Sequence, residues 1–229
     1  MILPAALGLS VLGGAVHGAF HRNSFVFGRV LGHLPTEERQ VALTFDDGPN
    51  PDATPRILDT LGEYGVRATF FILGMHAERW PDLVHRAVSE GHQVGNHGYF
   101  HRKLHFKSPH YVRRDVSLGK RAIERAGASA PHFFRAPHGF RSPWVNAIAG
   151  SLGERTIGWS LGVWDSDQPG VKRIVDQTIE GVKPGSIVLL HDGDGYNADG
   201  NRMQTAAALP KIITGLRERG YEFVTLPVE

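Results

Sequence analysis

The chain has 229 residues, 25 Lys and Arg against 23 Asp and Glu, and no cysteine. That length suits one large core, the ordinary composition excludes disordered and collagen-like chains, and the lack of cysteine excludes disulfides and thiolate metal sites. A net charge of only +2, with no Lys/Arg run interleaved with aromatics, argues against a nucleic-acid partner.

Residues 2–16 are apolar and rich in Gly and Ala, with Pro4 inside and no Lys or Arg ahead. A signal peptide needs a positive start and a spanning helix about 20 apolar residues, and the segment meets neither requirement well. It reads equally as a weak membrane anchor or uncleaved signal, or as a helix packed on the domain. Arg22 and Arg29 follow it and suit an interfacial flank. Residues 1–39 are therefore expected to form a hydrophobic segment and lead-in, with membrane contact through 1–20 and a location at the cell envelope or membrane. The catalytic domain is expected over 40–229.

From Gln40 onward short apolar runs end in polar or Gly-rich turns and are followed by amphipathic stretches. Strands are predicted at 41–45, 68–73, 92–95, 132–135, 156–160, 186–190 and 222–226. Helices are predicted at 55–64, 78–90, 109–126, 143–152, 171–181 and 203–219. Gly65, Gly91, Gly127, Gly153 and Gly220 stand where helices stop. Strand alternating with helix predicts an α/β fold with parallel strands and outer helices, and seven strands in one run favour a barrel, here taken as a monomer.

In such a barrel the site lies at the C-terminal ends of the strands. Asp46 and Asp47 follow the first predicted strand, His97 and His101 the third, Arg135 closes the fourth, Asp165 follows the fifth, and His191 and Asp192 the sixth. Two adjacent carboxylates after a buried strand need a metal, an Arg or a proton to offset them. His97 and His101 have HxxxH spacing, which brings two imidazoles to one ion. With thirteen histidines, chance alone gives about 0.7 such pairs. His17/His21 reads as a decoy, because no acid stands beside it. His105 competes with His97 as the partner of His101, and His97 is preferred because it directly follows a strand.

Two His and one of the two Asp residues suit a divalent cation, with Zn²⁺ first and Co²⁺, Ni²⁺ or Mn²⁺ as alternatives. The other Asp then stands beside the attacking water as base. Arg135 is placed to orient a carboxylate, and Pro137 and Gly139 form a stiff turn. A second, unbound His such as His191 is what an amide leaving group needs, with Asp165 to hold it. Residues 192–201 resemble a calcium loop but fail the EF-hand pattern, and read as a mobile rim loop.

These residues, taken together, resemble the polysaccharide deacetylases of carbohydrate esterase family four, which carry the NodB homology domain. Five motifs appear in order, within a likeness running from about Gln40 to the C-terminus. Thr44-Phe45-Asp46-Asp47-Gly48-Pro49 matches the first motif and implies that Asp46 is the base and Asp47 a metal ligand. His97 and His101 match the second and would be the other ligands. Arg135-Ala136-Pro137-His138-Gly139 is similar to the third, whose Arg positions the base and whose turn supplies an oxyanion N–H, here that of His138. Trp159-Ser160 through Asp165 is similar to the fourth, and Leu190-His191-Asp192 to the fifth, with His191 as general acid and Leu190 lining the acetyl pocket. The substrate-binding set implied is Pro137, His138, Gly139, Trp159 and Leu190.

The resemblance implies a distorted (β/α)₇ barrel and metal-dependent removal of N-acetyl groups from a glycan such as peptidoglycan or chitin. Its rivals are a deacylase of a lipid-linked or small N-acyl sugar and an inactive glycan-binding module. Gly98 stands where the second motif has Ser or Thr, which removes a loop hydrogen bond. His138 replaces the usual Tyr. In the fourth motif Gly162 replaces the first Asp, and Ser166 follows Asp165 where Trp is usual, with Trp164 before it.

Overall fold

The computed structural model describes residues 3–228 of the chain. Eight parallel strands among them build one curled sheet: β1 (Gln40–Asp46), β2 (Thr69–Ile72), β3 (Gln93–Asn96), β4 (Phe133–Phe134), β5 (Arg155–Thr156), β6 (Leu161–Gly162), β7 (Ser186–His191) and β8 (Glu222–Phe223). The spatial order is β5-β4-β3-β2-β1-β7-β6, with β8 paired to the start of β1 at Gln40 and Val41. Helices α1 (Leu3–Phe20), α2 (Ala53–Glu63), α3 (Gly74–Arg79), α4 (Pro81–Ser89), α5 (Pro109–Arg125), α6 (Val145–Ser151), α7 (Val171–Gly181) and α8 (Met203–Glu218) connect and cover it. This is the parallel barrel expected from the alternating pattern, in the distorted form that the resemblance implies.

β1 is the central strand because its apolar run can be buried on both sides. Val41, Leu43 and Phe45 join the core under α2, α7 and α8, with Ile57, Leu61, Ile174 and Leu209. Ala42 points the other way, into a smaller core with Phe71, Phe133 and Ile187. Alternation then carries Thr44 and Asp46 to that inner face. The pairing Asp46↔His191 sets those two residues side by side at the C-terminal edge.

Two predicted elements differ. The expected helix over 78–90 is two helices, α3 and α4, broken at Trp80, because Pro81 opens a new helix and cannot continue the old one. The expected strand over 156–160 is divided. Its start pairs with β4 as β5 and its continuation pairs with β7 as β6, while Ile157 between them is bridged by Leu31. One stretch of chain thus serves both edges of the sheet, and Leu31 pairs alongside it through Thr156 O and the Gly158 N–H.

The lead-in is tied to the barrel rather than trailing from it. Arg141 N–H donates to Ala19 O, and Arg141 Nη2 donates to His21 O and Ser24 O. Arg22 Nε and Asn23 Nδ2 both donate to Trp159 O, each at 2.9 Å. Leu12, Val16 and Phe20 on α1 are exposed. Among the described residues no helix is long and apolar enough to cross a membrane.

Candidate active site

Every polar residue expected at the strand ends lies at this edge. Asp46, Asp47, His97, His101, Arg135 and Asp165 are all buried, and His191 nearly so. Burial of so many ionisable groups is costly unless each has a partner, and the partners define two halves of a site.

The first half centres on Asp46 and Asp47. Arg135 Nη1 meets Asp46 Oδ1 at 2.6 Å and donates to Thr44 Oγ1 at 2.8 Å, while Nη2 donates to Gly158 O at 2.8 Å. The guanidinium also lies over the Phe71 ring, 4.0 Å from its centre. Both terminal nitrogens of Arg135 are thereby held, and Arg135 in turn fixes Asp46. Asp47 turns away through a left-handed backbone (φ 72°), and His76 Nδ1 holds its carbonyl at 2.7 Å. The turn aims Asp47 Oδ1 at His101 Nε2 (3.0 Å) and His97 Nε2 (3.3 Å).

These three residues are the one group among the described residues that could hold a metal ion. The donor set fits one. His97 Nδ1 lies 2.8 Å from Arg135 O, which can only accept, so Nδ1 carries the proton. Nε2 then presents a lone pair to the Asp47 carboxylate, acceptor against acceptor, and Asp47 Oδ1 has no hydrogen-bond partner. A divalent cation or a second proton resolves that conflict, and two imidazoles with one carboxylate leave coordination positions open for water and substrate. Burial alone would raise Asp47, but His101 and His97 hold it well below the usual carboxylate range. His97 is raised: burial lowers it, and Asp46 and Asp47 more than offset this.

The second half is His191 with Asp165. Nδ1 of His191 is 2.9 Å from Asp165 Oδ1, and the His191 backbone N–H donates to Asp165 Oδ2 at 2.8 Å. Thr205 Oγ1 donates to the same Oδ2 at 2.8 Å. Burial lowers the imidazole, yet the Asp165 charge and hydrogen bond, with Asp47 and Asp46 behind them, push it up to about 9. Nε2 remains for a substrate.

Pro137, His138 and Gly139 form a tight 3₁₀ turn in which His138 has φ 59°. A side chain at Gly139 would strike Arg22 and Trp159, each at 2.9 Å, so the turn, Trp159 and the lead-in pack as one wall. His138 Nε2 pairs with Tyr196 Oη at 2.8 Å, and its ring lies tilted against that of His101, 4.6 Å between centres. Burial and the neighbouring His101 and His97 lower it to about 4.

Leu190 is a correction. It is fully buried on the helix-facing side of β7, in the core with Phe45 and Val188, because neighbouring residues on a strand face opposite ways. Leu189 shares His191's face and approaches Gly162 beside Trp159. Leu189 is thus the apolar residue of this wall, and strand parity counted from His191 finds it.

Gly98 has φ +79°, and a side chain there would meet Asp115 Oδ2 at 2.5 Å. The loop between the two histidines is held by other means: Asn96 Oδ1 accepts the Gly98 N–H (2.9 Å) and Asp115 Oδ1 the Phe100 N–H (3.1 Å). His105 packs among Phe20, Phe106 and Phe140 and is no part of the cluster. His17 and His21 stack on each other and His17 bonds Ser24. The 192–201 loop, expected to be mobile, is tied down by Asn50 to Ala198 O and Gly200 O, and by Arg202 to Asp194. Sequence reasoning missed His76, Thr205, Tyr196 and Leu189. The first three act through contacts between distant segments and have no local spacing to betray them.

A parallel, curled α/β barrel with a buried Asp-His-His cluster between an Arg-held carboxylate and an Asp-held imidazole defines a hydrolase of the polysaccharide deacetylase kind. The polysaccharide deacetylase family model matches residues 33–157, and the chain belongs to that family. It is similar to a peptidoglycan-N-acetylglucosamine deacetylase of Bacillus cereus, 39% identical over 87% of this chain and 92% of that protein. It is also similar to a chitooligosaccharide deacetylase of Sinorhizobium fredii, 43% identical over 87% of this chain and 95% of that one. Among solved structures it resembles the peptidoglycan N-acetylglucosamine deacetylase Bc1960 bound to a naphthalenyl N-oxidanyl-benzamide, with TM-score 0.79 and 34% identity over 86% of this chain and 91% of that one. A family 4 carbohydrate esterase from Streptomyces lividans in complex with acetate gives TM-score 0.73 and 28% identity over 83% and 93%.

Proposed function

We propose that the protein is a metal-dependent hydrolase that removes N-acetyl groups from N-acetylglucosamine-type residues of a glycan. The observation that carries this reading is the juxtaposition of the Asp47–His97–His101 cluster with Asp46 on one side and His191 on the other. The relatives named above, which act on peptidoglycan N-acetylglucosamine and chitooligosaccharides, support the same class of substrate.

Asp47, His97 and His101 would hold the ion, which supplies Lewis acidity to the amide oxygen and to water. Among the described residues Asp46 Oδ2 has no hydrogen bond, while Oδ1 is committed to Arg135, so Oδ2 is the oxygen that takes the proton from water. Arg135 keeps that carboxylate aimed. The attack builds negative charge on the amide oxygen, and the N–H of His138, in its left-handed turn, is the main-chain donor for it. The leaving nitrogen needs a proton for the C–N bond to break. His191 Nε2 delivers it, with Asp165 stabilising the charged imidazole beforehand. Acetate and a free amine leave. Leu189 and Trp159 give the acetyl methyl an apolar contact.

The same reading places the enzyme at the cell envelope, with α1 lying against a membrane surface. The exposed apolar residues Leu12, Val16, Phe20, Phe25 and Val26 support this, and vesicle partition of the full chain against a variant lacking residues 1–20 tests it. The activity is tested by mass spectrometry of peptidoglycan fragments and N-acetylglucosamine oligomers after incubation, with and without chelator. Loss of acetyl that chelator abolishes is the expected result. Intact substrates under metal-replete conditions would defeat the reading.

A further inference from the structure

We propose that His76 is a positioning residue for the metal site: its Nδ1–H, together with the main chain that opens α3, sets Asp47 against His97 and His101 so that the three can share one divalent cation. This rests on the metal-dependent reading above and deepens it, by naming a residue outside the ligand set that governs how tightly the ion is held.

Two of the three ligand residues have a backbone that L side chains rarely adopt: Asp47 has φ 72° and His101 φ 51°. Such conformations persist only where the surroundings over-determine them. At Asp47 the turn offers three successive carbonyls. Asp46 O accepts from the Asp192 N–H at 3.2 Å, and Gly48 O from the Leu73 N–H at 3.0 Å. Asp47 O, between them, has His76 Nδ1 as its one hydrogen-bond donor among the described residues, at 2.7 Å. Gly193 crowds the same carbonyl, since a side chain there would strike Asp47 O at 2.1 Å.

His76 stands on α3, and the start of α3 touches both loops that carry ligands. The Leu73 N–H, just before the helix, reaches Gly48 O beside Asp47. The Gly74 and Met75 N–H groups reach Gly98 O and Tyr99 O, at 2.9 and 3.5 Å, inside the loop from His97 to His101. The approach is close: a Cβ at Gly74 would meet the Tyr99 ring at 2.6 Å and Gly119 Cα at 2.8 Å. The start of α3 thus fixes one ligand loop against the other. Among the described residues His76 carries that connection to the Asp47 peptide itself.

Packing alone does not call for histidine here. The ring is buried and lies T-shaped against Trp80, 5.9 Å between centres. A carbonyl can only accept, so Nδ1 carries the proton. Nε2 is buried and has no hydrogen-bond partner among the described residues. A buried nitrogen left unpaired destabilises the fold, and a leucine would fill the space without one. What the imidazole supplies and a leucine does not is the Nδ1–H on Asp47 O.

The test titrates zinc into the metal-stripped full chain in competition with a chromophoric chelator. His76→Leu should weaken zinc binding about 10–100-fold, the usual range for groups that orient metal ligands. His76→Asn, whose side-chain amide can donate from near the place of Nδ1, should recover most of that loss. Cobalt(II) in place of zinc reads the ligand arrangement: its visible absorption should change in His76→Leu and return toward the wild type in His76→Asn. A histidine needed only for the fold would lower the melting temperature of the metal-free chain and leave the affinity and spectrum of the folded protein unchanged. That result, or an affinity in His76→Asn as weak as in His76→Leu, would overturn the positioning role. Should His76→Leu fail to fold, the wild type still decides. Coupling is reciprocal, so zinc should slow exchange of the His76 Nδ1 proton with water, read by NMR, by about the same 10–100-fold. An exchange rate indifferent to zinc would overturn the proposal. Zinc binding that is tight in the wild type and weak in His76→Leu supports the proposal even if no glycan is deacetylated, an outcome that would count against the deacetylase reading alone. A wild type that binds no zinc would overturn both.

Discussion

Asp165 grips His191 twice, through Nδ1 at 2.9 Å and through the main-chain N–H at 2.8 Å. The carboxylate therefore sets both the position of the strand end and the charge of the ring. Asp165→Asn removes the charge while an amide oxygen still accepts the main-chain bond. The imidazolium is the proton donor, so activity falls as pH rises through the His191 pKa. That pKa is pushed up to about 9, and an ion at Asp47 draws it down from there by neutralising one of the charges that raise it. In Asp165→Asn the alkaline limb of kcat against pH should move down by more than about one unit, toward the ordinary histidine value. An unmoved limb would detach His191 from the proton transfer.

His191→Ala should leave metal binding intact, because the ring is not in the Asp-His-His cluster, and lower turnover roughly 10²–10⁴-fold. Metal content by mass spectrometry separates this outcome from loss of a ligand.

Arg135 and Asp46 form a buried pair in which each satisfies the other. Arg135→Ala leaves the carboxylate without its partner and should cost about 3–5 kcal/mol of stability. Arg135→Lys keeps the charge but not the fork that also reaches Thr44 and Gly158. It should fold and turn over about 10–100-fold more slowly, and a wild-type rate would remove the positioning role.

Much of this site was legible in the sequence, for reasons visible in single elements. The apolar run of β1 could only be a buried strand, so Asp46 and Asp47 had to stand at its end. The strand-helix alternation sent His97, Arg135, Asp165 and His191 to the same edge. What was not legible depended on contacts between distant segments. The strand expected at 156–160 divides between the two sheet edges, with Leu31, from the lead-in, bridging Ile157 there. The helix expected over 78–90 divides at Pro81, which opens a new helix and cannot continue the old one. The resemblance implies Leu190 at the acetyl pocket, whereas strand parity counted from His191 turns Leu190 into the core and Leu189 to the site.

That correction is testable. Leu190→Ala should cost about 2–5 kcal/mol of stability as a core truncation and leave kcat near wild type. Leu189→Ala should cost less stability and change the relative rates on N-acetyl and N-propionyl sugars. Reversal of these two patterns would restore Leu190 to the site.

Glu154 is buried and bonded to Asn96, the residue before His97, and burial pushes it up to about 8. The folded state thus binds a proton that the unfolded chain releases near 4.5, so stability falls as pH rises from there through about 8. Glu154→Gln keeps the neutral shape without the titration. Its melting temperature should exceed the wild type's at pH 8–9 by roughly 2–4 °C, equivalent to about 1 kcal/mol, and the gap should close toward pH 5.

The central claim is that Asp47, His97 and His101 share one divalent cation. Metal stoichiometry of purified, zinc-reloaded protein measures this directly. One equivalent per chain is expected in the wild type and in His191→Ala, with none retained by Asp47→Ala or His97→Ala. Full occupancy in Asp47→Ala and His97→Ala, or none in a folded wild type, would contradict it.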